Sequence, residues 1–221
     1  MPPSNLKMCA LIVGAGAVKN AWNPVIRALQ PTFDFPLSPS GANAYLARLV
    51  YLLRWWKQNP SNFASREFEK CFQHFADIRK SISAELVQAE KSGEIYARDE
   101  FDAIVARFLK SYCKNHLLVT TNWDFVIDKA FGRLVGKMAL TEPAGLHIHG
   151  SVVDPSKMYL PTEVTMEPYR THEEQQQIGV FHREIWEKIE KAHRVVFYGL
   201  SLSPSMLNLP KQSPAVSATI I

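Results

Sequence analysis

The sequence lacks the features that mark several large classes of protein. Its 221 residues include three cysteines, Cys9, Cys71 and Cys113, with no C-x-x-C pair and no histidine at metal-binding spacing. No apolar run approaches the roughly 20 residues of a membrane-spanning helix, and the N-terminal residues have no basic, signal-like start. We therefore expect reduced thiols, no metal site, no membrane contact and a cytoplasmic location.

An excess of charge of one sign is also lacking. The chain has 25 Lys and Arg against 21 Asp and Glu, a net charge of +4, and its basic residues do not form a run. This balance does not indicate direct binding of nucleic acid. With 47% hydrophobic residues, the chain is too apolar to be disordered and is long enough to bury a core.

Short apolar runs alternate with helical patterns along the chain. The runs at 8–13, 117–121 and 194–199 are typical of buried parallel strands, and 146–150 is a shorter fourth. Strands that alternate with helices predict an α/β fold with a Rossmann-like, doubly wound parallel sheet. An inserted helical block at about 41–115 interrupts the alternation, and we expect residues 1–221 to form one domain.

The helical block is predicted to contain three helices. The first ends near Asn59, the second covers about 65–91, and the third covers about 98–114, each with apolar residues at helical spacing. Trp55 and Trp56 are neighbours on the first helix and therefore point in different directions. One of the two is expected to face a partner.

Glycine or polar residues follow each of the predicted strands. They lie in Gly14-Ala15-Gly16, Thr120 to Asp124, His147 to Ser151 and Tyr198 to Ser203. Because ligands bind at the carboxyl ends of parallel strands, we expect these segments to meet. Glycines after the first strand let a pyrophosphate approach the start of the following helix. Lys19 replaces the third glycine of G-x-G-x-x-G, which disfavours an ordinary dehydrogenase-type domain.

In combination, the motifs G-A-G, T-T-N-W-D, H-G-S and Y-G-L-S-L-S resemble those of sirtuin-like proteins, especially the bacterial branch that depletes NAD in antiphage defence. They occur in the order of that family and extend from Val13 to Ser203. The resemblance implies an NAD-binding sheet with a helical insertion. It also implies that NAD+ is the substrate and that its nicotinamide–ribose bond is cleaved.

The resemblance assigns roles residue by residue. Asn122 matches the asparagine that orders the nicotinamide ribose and the attacking water, and His149 matches the catalytic histidine. The positions that match cofactor-binding residues are Gly14, Ala15, Gly16, Thr121, Asp124, Gly199 and Ser201. Nicotinamide leaves as a neutral molecule, so the reaction needs no strong acid. An amide can hold a water, and a histidine can exchange a proton near neutral pH.

Simpler roles for some of these residues stay open. Asn122 is also suited to cap the helix that follows its strand. Asp124 is able to pair with a nearby cation instead of a ligand. His147 is expected to be structural.

The chain departs from the family in two places. Ala17-Val18-Lys19-Asn20 stands where the family has a Ser and a G-x-P segment. After Ser203 the family has an acidic residue, a helix and a further strand, whereas residues 204–221 form an atypical tail with little periodicity. We therefore expect the adenosine half of the NAD pocket to be incomplete or to be supplied by a neighbouring subunit.

Hydrolysis of NAD+ to nicotinamide and ADP-ribose is the function that the sequence favours. Protein deacylation is disfavoured, because deacylases of this family generally carry a four-cysteine zinc module. A catalytically weak nucleotide-binding or scaffold subunit is the alternative from a different class. By analogy with defence systems, a homo-oligomer or a companion sensor protein is expected as partner.

Overall fold

The computed structural model of the chain describes residues 7–110, 115–137, 145–200 and 217–220. The chain divides into two compact units, each built from separate stretches of sequence. The sheet unit contains residues 1–19, 95–148 and 184–221, and the helical unit contains residues 20–94 and 149–183. The helical unit differs in extent from the insertion predicted at about 41–115. It begins at residue 20, its first stretch ends at residue 94, so that the predicted third helix belongs to the sheet unit, and it includes a second stretch, 149–183.

The sheet unit contains a five-stranded parallel sheet and a separate pair of two-residue strands. Its strands are β1 (Met8–Val13), β2 (Val18–Lys19), β3 (Tyr96–Ala97), β4 (Asn115–Thr120), β5 (Leu146–His147), β6 (Arg194–Tyr198) and β7 (Ser217–Ile220). The sheet order is β5-β4-β1-β6-β7, with all neighbours parallel, while β2 and β3 pair antiparallel. The predicted α/β class with a Rossmann-like parallel sheet is confirmed.

The strand order places a switch point at β1. From β1 the chain adds β4 and β5 on one side, and later adds β6 and β7 on the other. In open α/β sheets this reversal is where ligands bind. The central strands have nearly continuous burial, as a parallel sheet covered on both faces requires. The core cluster of this unit consists of Ala10, Ile12, Leu117, Val119, Ile185, Ala192 and Val195.

The described helices are α1 (Asn23–Leu29), α2 (Pro39–Gln58), α3 (Asn62–Ser92), α4 (Phe101–Leu109), α5 (Val126–Lys137) and α6 (His172–Glu190). The first three belong to the helical unit, α4 and α5 belong to the sheet unit, and α6 contributes residues to both. In the described part of the chain, no helix combines the length and apolar character needed to cross a membrane.

Local signals account for several helix ends of the helical unit. Pro24 is the second residue of α1, where its missing N–H costs no helical hydrogen bond. The hydroxyl of Ser38 accepts from the N–H of Gly41 at 3.1 Å and caps α2, and Ser61 caps α3 in the same way. Gly93 ends α3 with φ of 75°, the left-handed conformation that glycine adopts readily.

Two expectations from the sequence are wrong. The sequence predicts that residues 217–220 lie in a tail with little periodicity, but they form β7. This short strand is formed by its hydrogen bonds to β6, which its own residue pattern does not show. Cys9 is disulfide-bonded instead of being a reduced thiol, since cysteine pairing depends on distance in the fold. Cys71 is free, and Cys113 lies outside the described residues.

The two neighbouring tryptophans of α2 have different surroundings. Trp55 is 48% exposed, and Tyr51, one turn earlier on the same face, is exposed as well. The ring of Trp56 packs edge-on against Phe63, with the ring centroids 5.8 Å apart. Trp55 is therefore the outward-facing member of the pair.

Candidate active site

Three strands of the sheet end level with one another. Val13, the last residue of β1, pairs with Thr120 of β4 and with Tyr198 of β6. Beyond these pairs, the N–H of Thr121 donates to the carbonyl of Val13, and the N–H of Gly14 donates to the carbonyl of Tyr198, each at 3.0 Å. The glycine loop, the Thr121 segment and the Gly199 turn therefore start at the same edge of the sheet.

The glycines of this edge are explained by close backbone packing. A Cβ atom at Gly14 would lie 2.6 Å from the carbonyl oxygen of Gly199, and one at Gly16 would lie 2.7 Å from the same atom. Gly199 has φ of 64°, and a Cβ there would lie 2.4 Å from the nitrogen of Ala17. The obstructing atoms belong to the backbone, so none of the three positions has room for a side chain without a shift of the main chain.

We expect Gly199→Ala to destabilise the protein by more than about 2 kcal/mol. The substitution combines a left-handed backbone with the clash against Ala17. Urea unfolding followed by circular dichroism measures the change. Gly179→Ala is the matched control, because a Cβ there meets no atom within 4 Å and removal of a helical glycine stabilises by up to about 1 kcal/mol. Equal midpoints for wild type and Gly199→Ala would contradict the packing argument.

Most of the N–H groups of the glycine loop donate to carbonyl oxygens of the chain itself. Gly14 donates to Tyr198, Gly16 donates to Gly199 at 2.9 Å, and Ala17 donates to Gly14. Among the described residues, the N–H of Ala15 has no partner, and Ala15 and Gly16 are exposed. Of the three predicted phosphate-loop residues, Ala15 is thus the one whose N–H is available to an anion.

Arg98 is a neighbour of the glycine loop that the sequence did not reveal. Its Nε donates to the carbonyl oxygen of Gly16 at 2.5 Å, and its main-chain N–H donates to the carbonyl of Ala17 at 2.9 Å. The two partners of the Nε contact are 82 positions apart in the chain. No local pattern marks a contact over that distance.

The main chain of Asn122 is held on both sides. Its N–H donates to the hydroxyl oxygen of Thr120 at 3.0 Å, and its carbonyl oxygen lies 2.8 Å from Nδ1 of His147. These atoms belong to the two peptide groups that flank the Asn122 Cα. Because peptide groups are planar, holding both of them fixes the direction in which the side chain leaves the backbone.

The side chain of Asn122 is buried but has no hydrogen bond. The residue is 4% exposed, and neither Nδ2 nor Oδ1 has a partner in the described part of the chain. An unpaired buried amide costs about 1–3 kcal/mol, so native proteins rarely retain one without a use. Within the described part of the chain, this side chain therefore makes no capping bond to α5.

Asp124 performs the capping role considered for Asn122. One carboxylate oxygen of Asp124 accepts from the N–H of Val126, the first residue of α5, at 3.0 Å. The negative charge lies at the positive end of the helix dipole. Asp124 is 4% exposed, and its carboxylate therefore already stabilises the start of α5.

His149 is an exposed residue of the helical unit. Its carbonyl oxygen accepts from the N–H of Tyr159 at 2.9 Å, and its ring is near-parallel to the Tyr159 ring at 6.4 Å between centroids. Gly150 follows with φ of 71°, and a Cβ there would lie 2.3 Å from the carbonyl oxygen of Lys157. This close turn positions the histidine against Tyr159.

Tyr159 is in turn held by charged and aromatic neighbours of the same unit. The guanidinium of Arg170 lies 4.7 Å from the centre of its ring, and the ring of His182 lies 5.5 Å away. Burial raises the pKa of the Tyr159 hydroxyl, so the phenol stays protonated at neutral pH. The partner ring of His149 is therefore an uncharged, well-packed surface.

The remaining predicted site residues are placed as follows. Thr121 is half-buried at the end of β4, and Ser201 lies outside the described residues. Within the described ranges, no group of three His, Cys, Asp or Glu side chains is arranged to hold a metal ion. The sheet unit thus brings together Gly14, Gly16 and Gly199, and it orders Asn122 through Thr120 and His147.

Comparison with known proteins does not identify a family for the chain. No protein-family model matches the chain, and no curated protein matches it.

Proposed function

We propose that the chain is an NAD+ glycohydrolase, which cleaves NAD+ to nicotinamide and ADP-ribose. The observation that carries the proposal is the Asn122 amide, which is buried, unpaired and fixed in direction by its main-chain hydrogen bonds. Such an amide has a free donor and a free acceptor for polar groups of a ligand. In this proposal, those groups are the nicotinamide ribose and the attacking water. The resemblance of the motifs to sirtuin-like proteins supplies the identity of that ligand.

The chemistry divides between two residues in this proposal. The bond between ribose C1′ and the nicotinamide nitrogen breaks, and its electron pair leaves with neutral nicotinamide. A water oxygen forms the new bond to C1′, and its proton passes to the imidazole of His149. Asn122 donates to and accepts from the water and the ribose hydroxyls, which lowers the entropic cost of bringing them together.

The glycine loop supports binding of the pyrophosphate. The exposed N–H of Ala15 stands at the carboxyl end of β1, beside the switch point of the sheet. Because Ala15 is exposed and its N–H has no partner among the described residues, that N–H is able to donate to an anion. Thr121, Gly199 and Ser201 are proposed as further pocket residues on the strength of the resemblance.

Release of products by the purified protein tests the proposal. Incubated with NAD+, the protein is expected to produce equal amounts of nicotinamide and ADP-ribose, measured by chromatography. Antiphage defence, a companion sensor and self-assembly follow from the resemblance, so the assay is repeated with co-expressed neighbouring gene products. NAD+ consumption without ADP-ribose would show a different reaction.

A nucleotide-binding scaffold is the second candidate. The observation that favours it is the internal use of the Gly14 and Gly16 N–H groups, which leaves few donors for a pyrophosphate. Heat released by NAD+ in calorimetry, with no product in the presence of any companion, would identify the scaffold. Product formation at a rate that depends on protein concentration would exclude it.

A further inference from the structure

His147, the last residue of β5, has an oxygen acceptor facing each of its ring nitrogens. Nδ1 lies 2.8 Å from the carbonyl oxygen of Asn122, and Nε2 lies 3.1 Å from a carboxylate oxygen of Asp128. Neither a carbonyl nor an ionised carboxylate donates a hydrogen. A neutral imidazole carries one N–H and satisfies one acceptor, whereas an imidazolium satisfies both.

The surroundings of the ring favour the charged form. Asp128 of α5 is 19% exposed on its side chain, and the His147 side chain is 9% exposed, so the pair is largely shielded from water. The Nε2 contact has ion-pair distance without good hydrogen-bond angles, which makes its attraction chiefly electrostatic. Asp124 adds a second negative charge, and the Phe125 ring packs edge-on at 4.9 Å.

Two opposing effects act on the protonation of His147. Burial disfavours the charged ring, but the Asp128 carboxylate at ion-pair distance, the Asn122 carbonyl and the charge of Asp124 outweigh it. The pKa of His147 is therefore raised above its ordinary value. The stability from this protonation is fully present below the unfolded pKa of about 6.5, and it is lost as the pH rises through the higher folded pKa.

We infer that His147 is a positioning residue, an imidazolium that bridges Asp128 and the Asn122 carbonyl and so aims the Asn122 amide. With Thr120 holding the preceding peptide group, His147 fixes the following one. When His147 loses a proton, one of its two acceptors faces a ring lone pair. Loss from Nδ1 releases this side of Asn122, whereas loss from Nε2 frees the ring that holds it from Asp128. The catalytic consequence rests on the proposed function, but the contact itself does not.

Nuclear magnetic resonance of the whole, 15N-labelled chain tests the inference directly. We expect both ring nitrogens of His147 to be protonated at about pH 6.5, and one proton to be lost only at higher pH. The side-chain amide signals of Asn122 should move with the same midpoint. In Asp128→Asn, which removes the charge but keeps the shape, the midpoint should fall, because burial of the ring then acts with less opposition.

A matched control and an activity measurement complete the test. His193→Asn removes an exposed histidine of the same unit and should leave the Asn122 signals and their midpoint unchanged. His147→Gln should lower kcat for NAD+ cleavage by up to about a hundredfold with little change in KM, because a displaced amide harms the reaction more than ground-state binding.

The outcomes separate this inference from the proposed function. A His147 ring that is neutral at about pH 6.5, or Asn122 amide signals that ignore its titration, would overturn the inference whatever the activity. A wild-type chain that cleaves no NAD+ while both signals titrate together would contradict the hydrolase and leave the positioning contact established.

Discussion

Asn122→Ala and His149→Ala are each expected to slow NAD+ cleavage by at least about a hundredfold. In the proposed reaction the amide holds the water and the imidazole accepts its proton, so each substitution removes one half of the same step. Because the proposed step needs both groups at once, the double variant should be little slower than the slower single variant. Nicotinamide release at saturating NAD+ measures all three rates.

Asn122→Ala should also leave the free energy of unfolding unchanged or raise it. The wild-type amide is 4% exposed with two unpaired polar atoms, an arrangement that costs about 1–3 kcal/mol. Alanine removes both atoms. A residue that served only as a helix cap would give the opposite result, a loss of about 1 kcal/mol. Urea unfolding distinguishes the two roles.

Controls for this pair come from exposed residues of the same types. Asn115 is the first residue of β4, and His172 is the first residue of α6; both are exposed. Asn115→Ala and His172→Ala should retain wild-type rates. Full turnover by either Asn122→Ala or His149→Ala would exclude the mechanism, and equal losses in the controls would point to damaged folding.

Glu163→Ala is expected to lower the free energy of unfolding by about 3–5 kcal/mol. The Glu163 side chain is fully buried and accepts from Arg79 at 2.7 Å, from Arg170 at 2.8 Å and from the Tyr169 hydroxyl at 3.0 Å. Both arginines are less than a tenth exposed. The alanine variant therefore leaves two guanidinium groups buried without their counter-charge.

The loss should extend to the loop around Glu163. This glutamate also accepts from the N–H of Leu160, and Glu167 accepts in the same way from Val164, each at 2.6 Å. Thr162 has φ of 72°, a conformation that a β-branched residue adopts only where its surroundings impose it. Protease cleavage near Thr162 in native buffer, absent from wild type, is the expected sign of a released loop.

An exposed ion pair provides the comparison for Glu163. Glu67 contacts Lys70 one turn along α3 at 2.9 Å, and the lysine is 74% exposed on its side chain. Glu67→Ala should change the free energy of unfolding by less than about 1 kcal/mol. A Glu163→Ala variant as stable as Glu67→Ala would show that water reaches Arg79 and Arg170.

Sequence patterns were sufficient where the information is local. The apolar runs of β1, β4 and β6 and the stop at Gly93 depend on neighbours within a few positions, and the structure has them close to their predicted places. Asn122 and the three glycines could be singled out because they follow such runs directly. The resemblance to sirtuin-like motifs added their proposed roles.

Contacts between distant parts of the chain were not predictable in this way. The pairing of β7 with β6, the disulfide of Cys9 and the Arg98 contact to Gly16 each depend on residues brought together only by folding. His147 shows the limit most clearly. The sequence predicted a structural residue at this position, but which two acceptors flank its ring is a property of the folded sheet unit.

The sequence by itself determined the α/β class, the central strands and the residues that follow them, because periodicity and strand-end position are local properties. Only the tertiary structure decided that the Asn122 side chain is buried without a hydrogen bond, that Asp124 caps α5, and that Gly14 and Gly16 are small because Gly199 packs on them. Burial and hydrogen-bond satisfaction depend on what surrounds a group in three dimensions, which the spacing of residues along a chain does not specify.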